Sequence, residues 1–284
     1  MRQHKAPAHG YALRFSFVLG AAPLPIRTLA GGVIGIGRSL RNDARLGFRS
    51  DGRFMRRFIL ALLMCARLSA ATGGPVEDGA TAYLQRDYVT ALQIWKKAAT
   101  KGDVLAQHNL GYMYANAKGV PQDFSEALKW YGRAANQGYA PAQLNLGLMY
   151  ANGDGVPQDS LEAIEWYSRA ADQGYALAQF NLGVMYANGE GVPQDYSEAI
   201  AWYQRAADQG WPDAQHNLGV MYAEGRGVPK DFVRAYEWLD LAASRQANPQ
   251  ERDISIRNRD LIAKLMTAEE IAEAKMLAKQ WKPK

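Results

Sequence analysis

Between residues 142 and 213 the chain says almost the same thing twice. AQLNLGLMYANGDGVPQDSLEAIEWYSRAADQGYAL is followed without a gap by AQFNLGVMYANGEGVPQDYSEAIAWYQRAADQGWPD, and 26 of the 36 positions are identical. A unit that short cannot bury its own apolar face, so a fixed period of this length forces an array of stacked copies. Four full copies run from 106 to 249. A degenerate one precedes them over 72–105, where Asp87, Ala91, Trp95 and Gly102 stand 36 residues before Asp123, Ala127, Tyr131 and Gly138. A terminal copy is expected to be atypical because one of its faces meets water.

Each copy reads as two helices, here called A and B. In the first copy Ala106, Leu110, Met113 and Tyr114 share one face at helical spacing, as do Ala127, Trp130, Tyr131, Ala134 and Ala135. The Gly- and Pro-containing stretch between them breaks the helix. Asp123 is placed to cap helix B, with Glu126 completing a capping box, and Asp159/Glu162 and Asp195/Glu198 repeat the pattern. Gly138, Gly174 and Gly210 are placed to end helix B. Gly111, Gly147, Gly183 and Gly219 fall inside helix A, where each costs about 1 kcal/mol relative to Ala; their recurrence predicts close approach of helices A and B. The Trp-Tyr pairs of helix B read as core. Residues 250–284 predict a capping hairpin, its second helix begun by Thr267. The expected fold class is all-α: an α-solenoid of stacked antiparallel helix pairs.

Charge is divided unevenly. Residues 1–71 carry 12 of the 33 Lys and Arg but 2 of the 28 Asp and Glu, which leaves 21 basic against 26 acidic residues in the rest. The repeat region is therefore mildly acidic, and phosphate-rich nucleic acid is excluded as its main ligand. Met55, Arg56 and Arg57 precede an apolar run over 58–65, and small residues Ser69, Ala70 and Ala71 follow. This is the three-part pattern of a secretory signal peptide, too short to span a bilayer, which needs about 20 apolar residues. The expectation is a signal over 55–71, cleaved after Ala71, with 1–54 an over-extended or disordered N-terminus and the mature chain periplasmic or secreted. Cys65 is the sole cysteine, so neither an internal disulfide nor a Cys-based zinc site is available.

The pattern A-Q-x-N-L-G-x-M-Y-A-x-G-x-G-V-P-x-D, followed by A-x-x-W-Y-x-x-A-A-x-Q-G, resembles the Sel-one-like repeat (SLR) family, a branch of the tetratricopeptide superfamily. Departures are small: Ala117 stands where other copies have Gly153, Gly189 and Gly225, and Leu239 where others have Tyr. The resemblance implies a right-handed superhelix with a concave surface built from the A helices and used to bind proteins. It also implies, from exported bacterial members, a role in envelope assembly or signalling. A cysteine-rich branch associated with β-lactam binding or hydrolysis depends on a disulfide per repeat, which this chain lacks. A cell-wall-fragment binding protein or hydrolase, and an intracellular regulatory scaffold, are the alternatives.

Catalytic motifs are absent: there is no nucleophile elbow, no H-E-x-x-H, no Walker loop and no EF-hand loop. The Gly-x-Gly triplets follow helices and read as turns. His108 and His216 stand three copies apart, too far to share a metal. No enzyme activity and no cofactor are expected, and the chain is expected to be a monomer. A binding surface is the better use of the residues. On a wheel centred on Leu110, positions 108, 112 and 115 point away from the core. The expected partner-binding rows are His108, Leu144, Phe180 and His216, then Tyr112, Leu148, Val184 and Val220, beside an unvarying ladder of Asn109, Asn145, Asn181 and Asn217. Apolar side chains on an exposed face would make a groove for a protein or peptide segment, and an amide both donates to and accepts from its backbone. The ladder has a second reading, in which it satisfies backbone at the A–B turn or polar groups of the neighbouring repeat.

Overall fold

The computed structural model describes residues 74–284; the expectations for 1–54 and 55–71 fall outside them. Among the described residues there are helices and no strands. The A helices are α1 (Pro75–Leu84), α3 (Val104–Ala115), α5 (Ala140–Asn152), α7 (Ala176–Asn188) and α9 (Pro212–Glu224). They alternate with the B helices α2 (Tyr88–Ala99), α4 (Phe124–Asn136), α6 (Ser160–Asp172), α8 (Tyr196–Asp208) and α10 (Phe232–Arg245). Two further helices follow, α11 (Pro249–Ala263) and α12 (Ala268–Gln280). From α1 to α11 each helix packs on its neighbours in sequence, so the core is a series of clusters rather than one centre. This is the expected α-solenoid.

The mid-helix glycines do what their recurrence predicts. A Cβ on Gly147 would lie 2.5 Å from the Tyr167 ring of the paired helix, and one on Gly183 equally close to Tyr203. The tyrosine ring packs directly on the glycine, beside small Ala163 and Ala199 of helix B, both fully buried.

A buried polar ladder, not anticipated from the sequence, ties successive pairs together. Gln107, Gln143, Gln179 and Gln215 lie in the core, and each Nε2 donates back to the preceding B helix, to the carbonyls of Ala99, Ala135, Ala171 and Ala207 at 3.1–3.2 Å. The Oε1 of the first three accepts from Gln137, Gln173 and Gln209 at 2.7–2.8 Å. Each rung thus joins two B helices and one A helix in the low-dielectric interior, where a satisfied hydrogen bond is strongest. The last rung is incomplete. Arg245 stands where the donor glutamine should be and stacks instead on Trp281, 4.3 Å from its ring, leaving Gln215 Oε1 without a partner.

The ends differ from the middle as expected of terminal copies. With Gly79 matched to Gly111, exposed Asp78 and Thr81 occupy the positions that Leu110 and Met113 fill in the core. At the other end α11 and α12 both pack on α10 and make little contact with each other, so the predicted hairpin is instead two separate braces. After α12 the chain runs back to α8, where the Lys284 N–H donates to the Asp208 carbonyl and its Nζ pairs with the Asp208 carboxylate, both at 2.8 Å.

The capping boxes need a correction. Asp123, Asp159, Asp195 and Asp231 do cap helix B, accepting from backbone N–H groups at 2.8–3.1 Å. The return half is not made, because each aspartate's own N–H already donates to a helix-A carbonyl, those of Tyr114, Tyr150, Tyr186 and Tyr222. Glu126 turns instead to Lys129 at 2.7 Å. The complete box is at Thr267 and Glu270.

Candidate functional site

A helix inside this array has neighbours on three sides. Taking α5, residues Ala142, Leu146 and Met149 meet the preceding B helix. Gly147 meets its own partner α6. Leu144 and Leu148 lie against the cluster containing Ala178, Leu182 and Met185 of the following A helix. What stays half-buried or exposed in the stripe at i, i+3, i+7 is Asn145, Leu148 and Asn152 here, Asn181, Val184 and Asn188 on α7, and Asn217 and Glu224 on α9, where Val220 is buried.

This geometry buries His108 and Leu144 of the first expected row and leaves Phe180 and His216 half-buried. His108 is 2% exposed, wedged between the rings of Tyr131 and Tyr139 at 5.5 and 5.2 Å, with Nε2 3.2 Å from Asn145 Nδ2. Leu144 is buried. Phe180 packs on Tyr203 at 5.8 Å, and His216 Nδ1 meets Ser255 Oγ of α11 at 2.8 Å. The row opposite Leu110 thus packs on the paired B helix and on the next element along the array. The wheel assigned one buried side to a helix that has three. Burial holds both imidazoles neutral by pushing their pKa down to about 4.

The second row and the ladder lie closer to the outward stripe. Tyr112, Leu148 and Val184 are half-buried and Val220 is buried; Asn109 is buried while Asn145, Asn181 and Asn217 are half-buried. The asparagines face the neighbouring repeat. Asn181 faces the Tyr167 hydroxyl and Asn217 that of Tyr203. Burial pushes both phenols up, the amides offset part of that, and the Glu190 carboxylate adds to it. The ladder is thus built into the joint between repeats, in line with its second reading, yet it is not saturated. Tyr131 and Tyr203 hydroxyls and Asn181 Nδ2 have no hydrogen-bond partner. Tyr203 lines a recess of about 10 Å³ with Asn217, Val220, Met221, Glu224 and Arg226, room for about one water.

Of the helix-B Trp residues read as core, Trp130 is buried while Trp166 and Trp202 are half-buried, and each of the three carries a cation. Arg133, Arg169 and Arg205 lie over Trp130, Trp166 and Trp202 at 4.3–4.4 Å. A larger cavity of about 430 Å³ lies under the C-terminal tail between α8 and α10. Four of its charged groups are paired with one another, Arg234 with Glu237 and Lys284 with Asp208, each at 2.8 Å, and Lys282 also lines it. Among the described residues no three His, Cys, Asp or Glu side chains gather to hold a metal. No described helix is long and apolar enough to cross a membrane.

Helix pairs of one length, stacked in register with a stripe of each A helix left outward, define an α-solenoid repeat protein. The chain belongs to the Sel1 repeat family, whose model matches residues 67–103, 104–139, 140–175, 176–211 and 212–246. The first match begins inside the segment expected to be a signal. Among solved structures, a Sel1 repeat protein from Oxalobacter formigenes is similar at 28% identity and a TM-score of 0.59, over 73% of this chain and 100% of that one. A protective antigen of uropathogenic Escherichia coli with an SLR fold is 28% identical over 76% of this chain and 54% of its own, at a TM-score of 0.49. The comparison with curated proteins gave no match. Sel1 repeat proteins are generally non-catalytic scaffolds that bind other proteins.

Proposed function

We propose that this chain is an exported, non-catalytic scaffold that holds a protein partner along the outward stripe of its A helices, in envelope assembly or signalling. The observation that carries the binding face is the stripe itself. It is the least covered side of each A helix, and its central position varies (Tyr112, Leu148, Val184, Val220) while Asn109, Asn145, Asn181 and Asn217 beside it do not. A surface whose frame is fixed and whose apolar contacts differ from copy to copy suits a groove that reads one segment along its length. Leu148→Asp and Val184→Asp place a charge at half-buried positions of that face. Partner recovery from envelope extracts should be lost with both variants while their helical circular dichroism is unchanged. Undiminished recovery by folded variants overturns the groove. Export is supported by the cationic start, the apolar run over 58–65 and the small residues up to Ala71. A cut there precedes α1 and leaves every described helix intact. N-terminal sequencing of the native protein should begin near residue 72; a chain still carrying 55–71 argues for the intracellular alternative.

A further inference from the structure

We infer that the C-terminal segment 281–284 is a latch over the cavity between α8 and α10, and that Arg245 changes partner with it. Arg245 holds Trp281 when the latch is shut and Gln215 Oε1 when it lifts. The device stands apart from the A-helix stripe and does not depend on it. Gln215 is 0% exposed and its Oε1 has no hydrogen-bond partner. In the three preceding rungs the same oxygen is served from 30 residues further on, by Gln137, Gln173 and Gln209 at 2.7–2.8 Å. Arg245 stands at that position for Gln215. Arginine Nε lies as many bonds from Cα as glutamine Nε2 does, and it carries a hydrogen to donate. It is also close by. A Cβ on Gly210 would lie 3.9 Å from Arg245 Cδ and Nε, and the matching glycine, Gly102, accepts from Gln137 through its carbonyl. Arg245 is exposed, so its terminal nitrogens stay in water when Nε turns to the rung. What holds it away is the Trp281 ring, 4.3 Å from the guanidinium.

The segment is fitted to this end of the array. Leu241 replaces the arginine of earlier copies (Arg133, Arg169, Arg205), and Ala278 and Trp281 pack against the cluster that holds Leu241 and Trp238. Its fastenings are nonetheless light. Ala274 alone of α12 is buried. The Lys284 side chain, 77% exposed, reaches the Asp208 carboxylate, whose other oxygen accepts from Gln204 at 2.7 Å. An exposed pair of this kind is weak and screened by salt. Beneath lies the cavity of about 430 Å³, walled by Tyr222, Glu237 and Trp238 and roofed by Trp281, Lys282 and Lys284 of the latch itself. A shut latch leaves a buried acceptor unmatched, which opposes closure. A lifted one pairs that acceptor and gives up the stack and the ion pair. Two packings with opposed gains make a two-state element, and whatever takes Trp281 or enters the cavity shifts the balance.

The test is a double-mutant cycle on the full chain, read by urea unfolding. Gln215→Met removes the Nε2 bond to Ala207 in either background. It removes a second bond, to Arg245, only where Trp281 is absent. The loss in midpoint should therefore be larger in Trp281→Ala than in the parent; equal losses overturn the exchange of partners. A direct readout is the Nε–H resonance of Arg245 in protein labelled with nitrogen-15 arginine, identified by its disappearance in Arg245→Gln. Its exchange with water should slow about tenfold in Trp281→Ala as the group enters the rung. Unchanged or faster exchange overturns the proposal as well. Arg245→Gln supplies the donor of the other copies and removes the stack. Backbone hydrogen exchange over 270–284 should then quicken about tenfold, while the urea midpoint holds. A tail that exchanges as slowly as in the parent shows that the stack does not hold the latch, and refutes it.

Discussion

At Gly147 a hydrogen atom decides whether two helices can touch. Replacing it by Ala improves helix propensity by about 1 kcal/mol but drives a methyl to 2.5 Å from the Tyr167 ring, and overpacking of this kind costs about 1–3 kcal/mol. A methyl on Gly132 would meet nothing within 4 Å, so Gly132→Ala should stabilise by about 0.5–1 kcal/mol. Urea midpoints of the two variants should move in opposite directions from the parent; movement in the same direction refutes the packing account. The imidazoles give a second test at this scale. An unfolded histidine titrates at about 6.5, whereas folded His108 and His216 do so at about 4. Between these values the unfolded chain binds protons that the folded one refuses, so stability falls as pH drops through about 6.5 and levels off near 4, by on the order of 3 kcal/mol per imidazole. His108→Leu and His216→Phe borrow the residues of other copies. The difference in urea midpoint between parent and double variant, measured from pH 7.5 to 4.5, should grow steadily in the variant's favour. A difference independent of pH contradicts the burial of neutral imidazoles.

Helices are where the sequence was most informative and where its limit lies. Caps, turns and the small-residue contacts of Gly147 with Tyr167 are set by residues close in sequence or at fixed spacing, and a repeat prints them four times over. The side that Leu144 faces is another matter. It lies in a cluster drawn from the paired B helix and the next A helix, 36 residues on, which a single helical wheel does not contain. The missing half of the capping boxes has the same origin, since the Asp159 N–H is spent on the carbonyl of Tyr150 across the turn. Recurrence alone marks the glutamine ladder: a polar residue inside an apolar helix face in every copy signals a paired interior group. The one-sided cap predicts that Asp159→Ala costs about 1 kcal/mol and Glu162→Gln almost nothing, because Glu162 holds no backbone N–H. Equal losses in chemical denaturation would show that the box closes after all.

Across the described helices the contacts run, α11 with α12 apart, from each helix to its neighbours in sequence, and stability is close to a sum of local terms. Removing residues 140–175, so that Tyr139 is followed by Ala176, joins two surfaces that already fit copies of each other. The shortened chain should fold cooperatively, with a urea slope reduced in proportion to the surface no longer exposed on unfolding. Removing α1 and α2 instead takes away the copy that ends the array in Asp78 and Thr81. It should expose Leu110 and Met113 and cause association on a sizing column.

The glutamine rungs have a consequence for how such a chain changes over generations. Every interior copy brings its own acceptor at the Gln143 position, its own donor at the Gln173 position, and a carbonyl for whichever copy comes next. Recombination between two near-identical stretches of coding sequence can therefore insert or excise a copy and leave no unpaired rung behind. The groove lengthens or shortens in whole units, with a new central residue to diversify each time. The copies bearing Asp78 and Arg245 cannot take part in that exchange, because each is finished on one side. Length is thus the freely heritable variable of this architecture, and its two ends are what keep the count finite.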